Sequence, residues 1–376
     1  MTRIVQVANF FGPRSGGLRA ALNALAAGYA DAGHEVVQVV PGPAEVVEEQ
    51  PWGARVVRRG REVPGTGYRV LRGPGVARTL DQLAPDRLEV HDRTTLRGLG
   101  RWASARGVPS LTVSHERLDR WLAQWLPPTL PLGRMADRAN AATAASFDAV
   151  VCTTAWAAEE FERLGVGNLV RVPLGVDLEL FSPRVTDSQL RGELAEPHEQ
   201  LLVMASRLSR EKCPQLAVAA AERLAADGVP VRLAVAGDGP LRRSLTRRAQ
   251  DLPVTFLGFV PGRGAMARLL ATADVVVAPG PVETFGLAAL EALASGTPVV
   301  ASVHSALGEV LGPDAPLAGA TGADFARAVR AVLERAPAER RPAARRRAEQ
   351  FPWSATVDGF LAVHRLQPAR ATRGAA

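Results

Sequence analysis

Asp274-Val275-Val276-Val277-Ala278-Pro279-Gly280-Pro281-Val282-Glu283-Thr284-Phe285-Gly286-Leu287-Ala288-Ala289-Leu290-Glu291-Ala292-Leu293-Ala294-Ser295-Gly296-Thr297-Pro298-Val299-Val300-Ala301 is the stretch from which the fold is read. A β-branched run at 274–278 stops at Pro-Gly. An Ala/Leu helix follows at 285–294, and a second apolar run at 298–301. Strand, helix and strand in this order make a parallel βαβ unit. The rhythm extends upstream, with strands at 201–205, 231–236 and 255–257 and helices at 215–226, 241–249 and 265–271. Before Pro173 it recurs, with strands at 4–8, 35–40, 88–90, 110–113 and 149–152 and a helix at 18–32 that Gly33 terminates. The chain therefore reads as two doubly wound α/β halves of similar size. Their boundary lies near Pro173-Leu174-Gly175-Val176-Asp177 and the polar stretch 182–200. Ligands of open α/β sheets sit beyond the carboxyl ends of the strands. The cleft expected between two such sheets is the first place to look for a site.

Hydrophobic residues make up 47% and charged residues 22% of the 376-residue chain, the balance of a globular protein rather than a disordered or fibrous one. No apolar stretch reaches the length of a membrane span, and the opening run 4–8 is too short for a secretory signal. Two cysteines, Cys152 and Cys213, build neither a disulfide framework nor a four-ligand zinc site, which points to a reduced, cytoplasmic setting. The formal charge of +7 points to an anionic partner: nucleic acid, a membrane surface or a phosphorylated substrate. Aromatic residues are only 5% and are not interleaved with basic ones, which sets nucleic acid aside. Of the 45 basic residues, every one but Lys212 is arginine. So strong a bias silences most arginines as individual signals. The Arg/Ala/Pro-rich run 335–347 reads as a solvated face, and 367–376 as a disordered tail. The lone lysine keeps its significance.

Several signatures are missing. No complete G-x-G-x-x-G occurs, since Arg242 stands where the third glycine after Gly237 and Gly239 belongs, and this argues against a dinucleotide oxidoreductase. No glycine-rich loop precedes Lys212. There is no Asp-x-Asp to carry a divalent metal on a diphosphate, so a bound diphosphate must be neutralised by protein cations. The histidines show no zinc spacing.

Five constellations carry chemistry. Gly16 and Gly17 follow the first strand and open the first helix, where bare backbone and unpaired N–H groups suit an anion; a sharp turn needs the same glycines. Arg207 and Lys212 follow the first strand of the second half, spaced to clamp a diphosphate or to face solvent. Glu283 precedes the helix at 285–294 and Glu291 lies within it. Eight helical residues turn about 80° past two full rotations, so both carboxylates are expected on one face, about 12 Å apart. Glu291 stands in an apolar helix and requires donors, either sugar or ribose hydroxyls or an arginine. His115 ends a strand of the first half, and His91-Asp92 ends its neighbour. Leu118, Trp121, Leu122, Trp125 and Leu126 line one helical face, which suits a core helix, an apolar acceptor groove or a membrane-dipping helix. The arginines at 55, 58, 59, 61, 69 and 72 would add attraction to anionic lipid.

Taken together, these residues resemble the retaining glycosyltransferases of family 4. The resemblance spans nearly the whole chain: Gly16-Gly17, His115, Gly175-Val176-Asp177, Arg207 with Lys212, Gly237-Asp238-Gly239-Pro240, and the pair Glu283/Glu291 followed by Gly296-Thr297-Pro298. The texture around Asn9 to Arg19 and Ser114 to Asp119 is similar to actinobacterial GDP-mannose-dependent α-mannosyltransferases of glycolipid synthesis.

The resemblance implies the GT-B fold, two Rossmann-like domains facing each other across a cleft. Residues 1–174 would bind the acceptor and 175–352 the nucleotide sugar, with the helix at 353–366 crossing back onto the first domain. It implies that Arg207 and Lys212 hold the diphosphate, with N–H groups of Gly16 and Gly17 supplied from across the cleft. Glu283 would touch the sugar, Glu291 the ribose, and His115 the sugar near the reacting carbon. Gly237, Asp238, Phe285, Gly286 and Leu287 complete the donor-binding set. The expected activity is metal-independent transfer of a hexose, with mannose from GDP-mannose favoured, to a lipid-linked or apolar acceptor. No tightly bound cofactor is expected. The setting would be cytoplasmic, with peripheral attachment to an anionic surface at the inner face of the cell membrane. The alternatives are a sugar-nucleotide epimerase, which would turn over donor alone, and a transferase acting on a soluble acceptor. A phosphorylase of similar shape would need pyridoxal phosphate on Lys212.

Overall fold

The computed structural model describes residues 1–12, 16–64 and 67–367. Pro13-Arg14-Ser15 of the glycine loop and the tail from 368 onward lie outside the described residues. The chain divides into two compact units. One comprises Met1–Gly175 with the segment from Trp353 onward, and the other Val176–Pro352.

The first unit is built on an eight-stranded sheet in the order β10-β9-β8-β7-β1-β2-β4-β3. Its strands are β1 (Arg3–Val7), β2 (Glu35–Gly42), β3 (Val46–Gln50), β4 (Gly53–Arg59), β7 (Arg87–Val90), β8 (Ser110–Ser114), β9 (Ala149–Cys152) and β10 (Leu169–Arg171). A small hairpin, β5 (Arg61–Val63) with β6 (Tyr68–Val70), stands apart from it. Within the eight-stranded sheet, among the described residues, β3 alone runs antiparallel, against β4. The central strands are buried on both sides because helices cover both faces, and apart from a few polar residues such as Gln6, Gln38 and Glu89 they are apolar. One face packs Val5, Val7, Leu80, Leu88 and Leu96. The other packs Ile4, Leu25, Tyr29, Leu111 and Val151 with Val357, Phe360 and Leu361 of the helix Trp353–Val363. That helix lies so close to the helix Gly17–Asp31 that a Cβ at Gly28 would stand 2.3 Å from Val357 Cγ2.

The second unit is built on a six-stranded parallel sheet in the order β13-β12-β11-β14-β15-β16. Its strands are β11 (Gln200–Ala205), β12 (Val231–Ala236), β13 (Val254–Gly258), β14 (Val275–Ala278), β15 (Val299–Ser302) and β16 (Leu317–Ala318). Leu202, Met204, Leu224, Leu233, Val235, Val300 and Phe325 fill its core. The strand order reverses between β11 and β14, and in the first unit between β1 and β7. Such reversals open the crevices where ligands of doubly wound sheets bind. Among the described residues no helix is long and apolar enough to cross a membrane.

Two sequence expectations fail, both over arginine. The run 335–347 is not a solvated face. It forms most of the helix Pro337–Ala348, in which Arg340 is buried. Arg341 donates to the carbonyls of Ala271 and Ala273, Arg345 to those of Leu178, Phe181 and Ala294, and Arg347 to those of Glu309 and Val310. The carbonyls of Ala271, Ala273, Ala294, Glu309 and Val310 lie at the carboxyl ends of neighbouring helices, where a cation is also favoured by the dipole, and those of Leu178 and Phe181 lie in the turn after Asp177. Arg55 is likewise no surface charge. It lies in β4, donates to Gln38 and Asn23, and stacks over Phe11 and Trp52.

Candidate active site

In the second unit the sequence candidates gather at the β11/β14 reversal. Arg207 is exposed just past β11. The chain then makes a tight turn, Arg210–Lys212, and bends through Cys213 at φ +47° into the helix Pro214–Ala226. A left-handed conformation at a non-glycine residue is a genuine bend, and it falls beside Lys212. Lys212 Nζ donates to Glu283 Oε1, carried by the turn after β14. The pair lies against bare backbone: a Cβ at Gly280 would sit 3.4 Å from Lys212 Cα and 3.5 Å from Glu283 Oε1.

Gly237 and Gly239 form the bed of the Arg207 segment. A Cβ at Gly237 would stand 1.9 Å from the Ser206 carbonyl oxygen, and one at Gly239 2.6 Å from that of Leu208. Leu208 N–H donates to Asp238 O at 3.0 Å, and the Asp238 carboxylate accepts from Gly239 N–H at 2.8 Å. These two glycines and Asp238 thus hold the main chain that presents Arg207.

Glu283 does not share a helix with Glu291. The helix is Leu287–Ala294, entered through Gly286 at φ +77°, where a Cβ would meet Leu307 at 2.4 Å. Helical pitch therefore does not relate the two carboxylates. Phe285 is buried and meets Phe351 edge-on, so it anchors the turn. Glu291 lies 3.6 Å from Arg263 Nη2. Burial pushes its carboxyl up to about 7 against the pull of Arg263, and Asp177 adds to the rise. An acid held above its unfolded value keeps a proton that the unfolded chain releases. Its contribution to stability is complete below about 4.5 and fades as pH rises through about 7. Glu291→Gln is therefore expected to gain melting temperature relative to the parent between pH 5 and pH 8; a constant difference across that range counts against this assignment.

In the first unit, Gly16 and Gly17 stand at the N-terminus of the helix Gly17–Asp31, which no side chain among the described residues caps. Across the β1/β7 reversal lies a buried polar cluster that sequence reading largely missed. Glu89 of β7 is fully buried and accepts from Gln6 at 2.8 Å, Tyr29 at 2.7 Å, His91 at 2.6 Å and His364 at 3.0 Å. Burial alone would raise its carboxyl, but the bonds from His364 and His91 outweigh it and hold the group well below the usual carboxylate range. His91 Nδ1 meets His115 Nε2 at 2.8 Å with the rings stacked. Burial, and then His91, push His115 down to about 3.

The segment after His115 is pinned from below. Arg93, buried, donates to Asn140, to Glu160 and to the Glu116 carbonyl. Glu160, also buried, accepts from the N–H groups of Leu118 and Asp119. The helix Leu118–Trp125 that follows is not a core helix. Trp121 and Trp125 are 45% and 57% exposed, with Leu130 and Met135 exposed after them. A signal for the buried cluster was present: Gln6, Gln38 and Glu89 each stand between two apolar residues of a strand. Among the described residues, no group of three or more His, Cys, Asp or Glu side chains is arranged to hold a metal ion.

Comparison with known proteins matches these two units to two family models. Residues 16–175 match a glycosyl transferase 4-like domain and residues 186–351 the glycosyl transferases group 1. The chain is 49% identical over 364 residues to a Mycobacterium tuberculosis protein named GDP-mannose-dependent alpha-(1-6)-phosphatidylinositol dimannoside mannosyltransferase, covering 96% of this chain and 95% of the relative. It is 36% identical to D-inositol 3-phosphate glycosyltransferase 1 of Catenulispora acidiphila over 70% of this chain and 68% of that one. Its fold is similar to that of sucrose-phosphate synthase from Thermosynechococcus elongatus, with a TM-score of 0.77 at 21% identity over 97% of this chain and 98% of that one. The chain belongs to the group 1 glycosyl transferases, has the two Rossmann-like sheets of the GT-B fold, and is a glycosyltransferase.

Proposed function

We propose that this enzyme transfers mannose from GDP-mannose, with retention of anomeric configuration, to a hydroxyl of a mannosylated phosphatidylinositol. The observation that carries this reading is the end-to-end similarity to the mycobacterial mannosyltransferase. GDP-mannose holds its sugar in the α configuration and the relative's name gives an α linkage, so configuration is kept. The acceptor oxygen bonds to the anomeric carbon as the bond to the diphosphate oxygen breaks. The hydroxyl proton passes to the departing phosphate oxygen on the same face.

Arg207 and Lys212 stabilise the charge that develops on the leaving diphosphate, and the N–H groups at Gly16 and Gly17 add to it. Lys212 exchanges part of its bond to Glu283 for the phosphate, which releases Glu283 to accept from sugar hydroxyls. Glu291 accepts from the ribose hydroxyls, and His115 contacts the sugar near the reacting carbon. No tightly bound cofactor takes part. Because protein cations carry the neutralisation, EDTA is expected to leave turnover intact; activity abolished by chelator and restored by a divalent ion counts against this.

The exposed Trp121, Trp125, Leu130 and Met135, flanked by exposed Arg120, Arg134 and Arg138, support peripheral attachment to an anionic surface at the cytoplasmic face of the membrane. Binding to phosphatidylinositol-containing vesicles is expected at low salt, weakening as salt rises, and Trp121→Ser/Trp125→Ser is expected to abolish it. A second reading, transfer to a soluble inositol phosphate, draws support from the Catenulispora relative. The deciding experiment offers GDP-mannose with either mannosylated phosphatidylinositol in vesicles or inositol 3-phosphate in solution. Product from the lipid alone bears out the first reading, and product from the soluble acceptor alone replaces it with the second.

A further inference from the structure

Three segments at the carboxyl end of the first sheet meet on one buried side chain. Asn9, just beyond β1, is fully buried. Its Oδ1 accepts from the N–H of Leu71, the residue after β6, at 2.7 Å. Its Nδ2 donates to the Leu71 carbonyl at 3.2 Å and to Thr95 Oγ1 at 2.7 Å. Thr95 Oγ1 in turn donates to the Asp92 carboxylate. That carboxylate, also buried, accepts from Thr94 Oγ1 at 2.7 Å and from the N–H groups of Thr94 and Thr95 at 2.9 and 3.0 Å. A backbone N–H only donates and a carbonyl only accepts, so Leu71 admits one orientation of the Asn9 amide. Both of its hydrogens and its oxygen are then engaged, and a fully satisfied buried network is rigid.

The topology gives this network its place. The loops after β1 and after β7 border the crevice at the β1/β7 reversal, where doubly wound sheets bind ligands. Asn9 roots the first loop, which leads on to Gly16 and Gly17. Asp92 and Thr95 close the second, which starts at His91. His91 N–H donates to the Val7 carbonyl at 2.8 Å, and its ring stacks on that of His115. Asn9 thus joins the two borders of the crevice and adds the hairpin β5/β6 through Leu71. The next residue bends sharply: Phe10 has φ +57°. A bulky residue keeps a left-handed conformation only where its surroundings over-determine it. Its ring meets Tyr68 of β6 edge-on, with centroids 6.0 Å apart. The hairpin therefore holds the loop twice, through Leu71 on Asn9 and through Tyr68 on Phe10.

We propose that Asn9 is a positioning residue for sugar transfer: it holds the loop entered at Phe10 and the turn that starts at His91 in one arrangement across the crevice. Buried as it is, it acts only through the segments it joins. The kinetic half of the proposal rests on the reading of His115 and the glycine loop as site residues; the tie itself does not.

The test has two arms on the full chain. The first follows amide hydrogen exchange in Asn9→Leu, which keeps a branched side chain and removes all three bonds. Segments 8–12, 68–71 and 91–96 are expected to exchange at least about tenfold faster together, with the second unit unchanged. Faster exchange at 68–71 alone overturns the proposal, because Asn9 then only closes the hairpin. Should Asn9→Leu not fold, Thr95→Val takes its place, with 8–12 and 91–96 expected to loosen and an unchanged pattern overturning the proposal. The second arm cuts one link. Thr95 is exposed, so Thr95→Val spares the core while removing the hydroxyl between Asn9 and Asp92; Thr95→Ser keeps that hydroxyl. Mannose transfer is measured well below the melting transition. Thr95→Val is expected to lose about 10- to 100-fold in kcat, the scale of a displaced catalytic group, with KM for GDP-mannose changed by less than about threefold. Thr95→Ser is expected to recover most of the rate. A lowered melting temperature with parent kcat, or equal losses in the two variants, overturns the positioning role. His115→Gln and Gly16→Ala probe the reading beneath it; a Cβ at Gly16 meets nothing among the described residues within 4 Å. Parent rates in both overturn that reading and the kinetic half with it, while the exchange arm still decides the tie.

Discussion

Lys212→Ala lowers kcat/KM by at least about 100-fold and Lys212→Arg by at least about tenfold, with both variants keeping the parent melting temperature. The stability half follows from exposure. Lys212 and Glu283 retain 29% and 21% of their side-chain surface, and ion pairs open to water contribute little to folding. The rate half follows from shape. An ammonium is a compact point charge that can shift from Glu283 to a phosphate without rotating a plane, whereas a guanidinium is a wide fork. The backbone of Gly280 closes one side of the pair, so the fork displaces either Glu283 or the ligand. A charge-assisted hydrogen bond contributes about 1.5–3 kcal/mol, which is about one to two decades of rate. The chain otherwise uses arginine for every basic position, so a Lys212→Arg enzyme with parent kinetics would remove Lys212 from the donor site.

Glu160→Leu is expected to have the largest effect on stability. It strands the buried Arg93 guanidinium and leaves the N–H groups of Leu118 and Asp119 without their acceptor. Breaking a buried pair from one side costs about 3–5 kcal/mol. For a unit of this size that lowers the melting transition by roughly 6–20 °C. The double variant Arg93→Met/Glu160→Leu is expected to recover much of the loss, because no charge remains buried without a partner. Calorimetry of the two variants decides it: equal losses would mean that the packing of Arg93, rather than its charge, holds the cluster. Turnover should fall in both, since Arg93 also grips the carbonyl that follows His115.

The sequence revealed whatever was written in apolar periodicity. β1, β2, β7, β8, β9 and most strands of the second unit are short Val/Leu runs, and their order with the helices dictates two parallel sheets. β4 escaped because three of its seven residues are arginine. Its pairing with Gln38 depends on a neighbour that is remote in sequence. The arginines of the helix Pro337–Ala348 escaped for a related reason: a side chain long enough to reach a carbonyl on another helix looks, residue by residue, the same as one reaching water. At the site, Lys212 and Glu283 were legible as candidates, and their bond to each other became visible only when β11 and β14 proved to be neighbours. His115 was legible at a strand end. Glu89, His91 and His364 become a unit only through the register of β7 and the return of the helix Trp353–Val363, which no local pattern encodes.

That return has a consequence for how the protein is made. Val357, Phe360 and Leu361 fill the core of the first unit, and His364 bonds to Glu89 at its centre. All of Val176–Pro352 must leave the ribosome before they do. At about 5–20 residues per second this is a wait on the order of ten seconds or more. The contiguous second unit can fold during that interval. The first emerges earlier yet stays open along one face of its sheet, with Ile4, Leu25 and Tyr29 uncovered. The half of the enzyme that is synthesised first is thus the half completed last, and any stall in translation between Gly175 and Trp353 leaves an apolar groove exposed to chaperones and proteases.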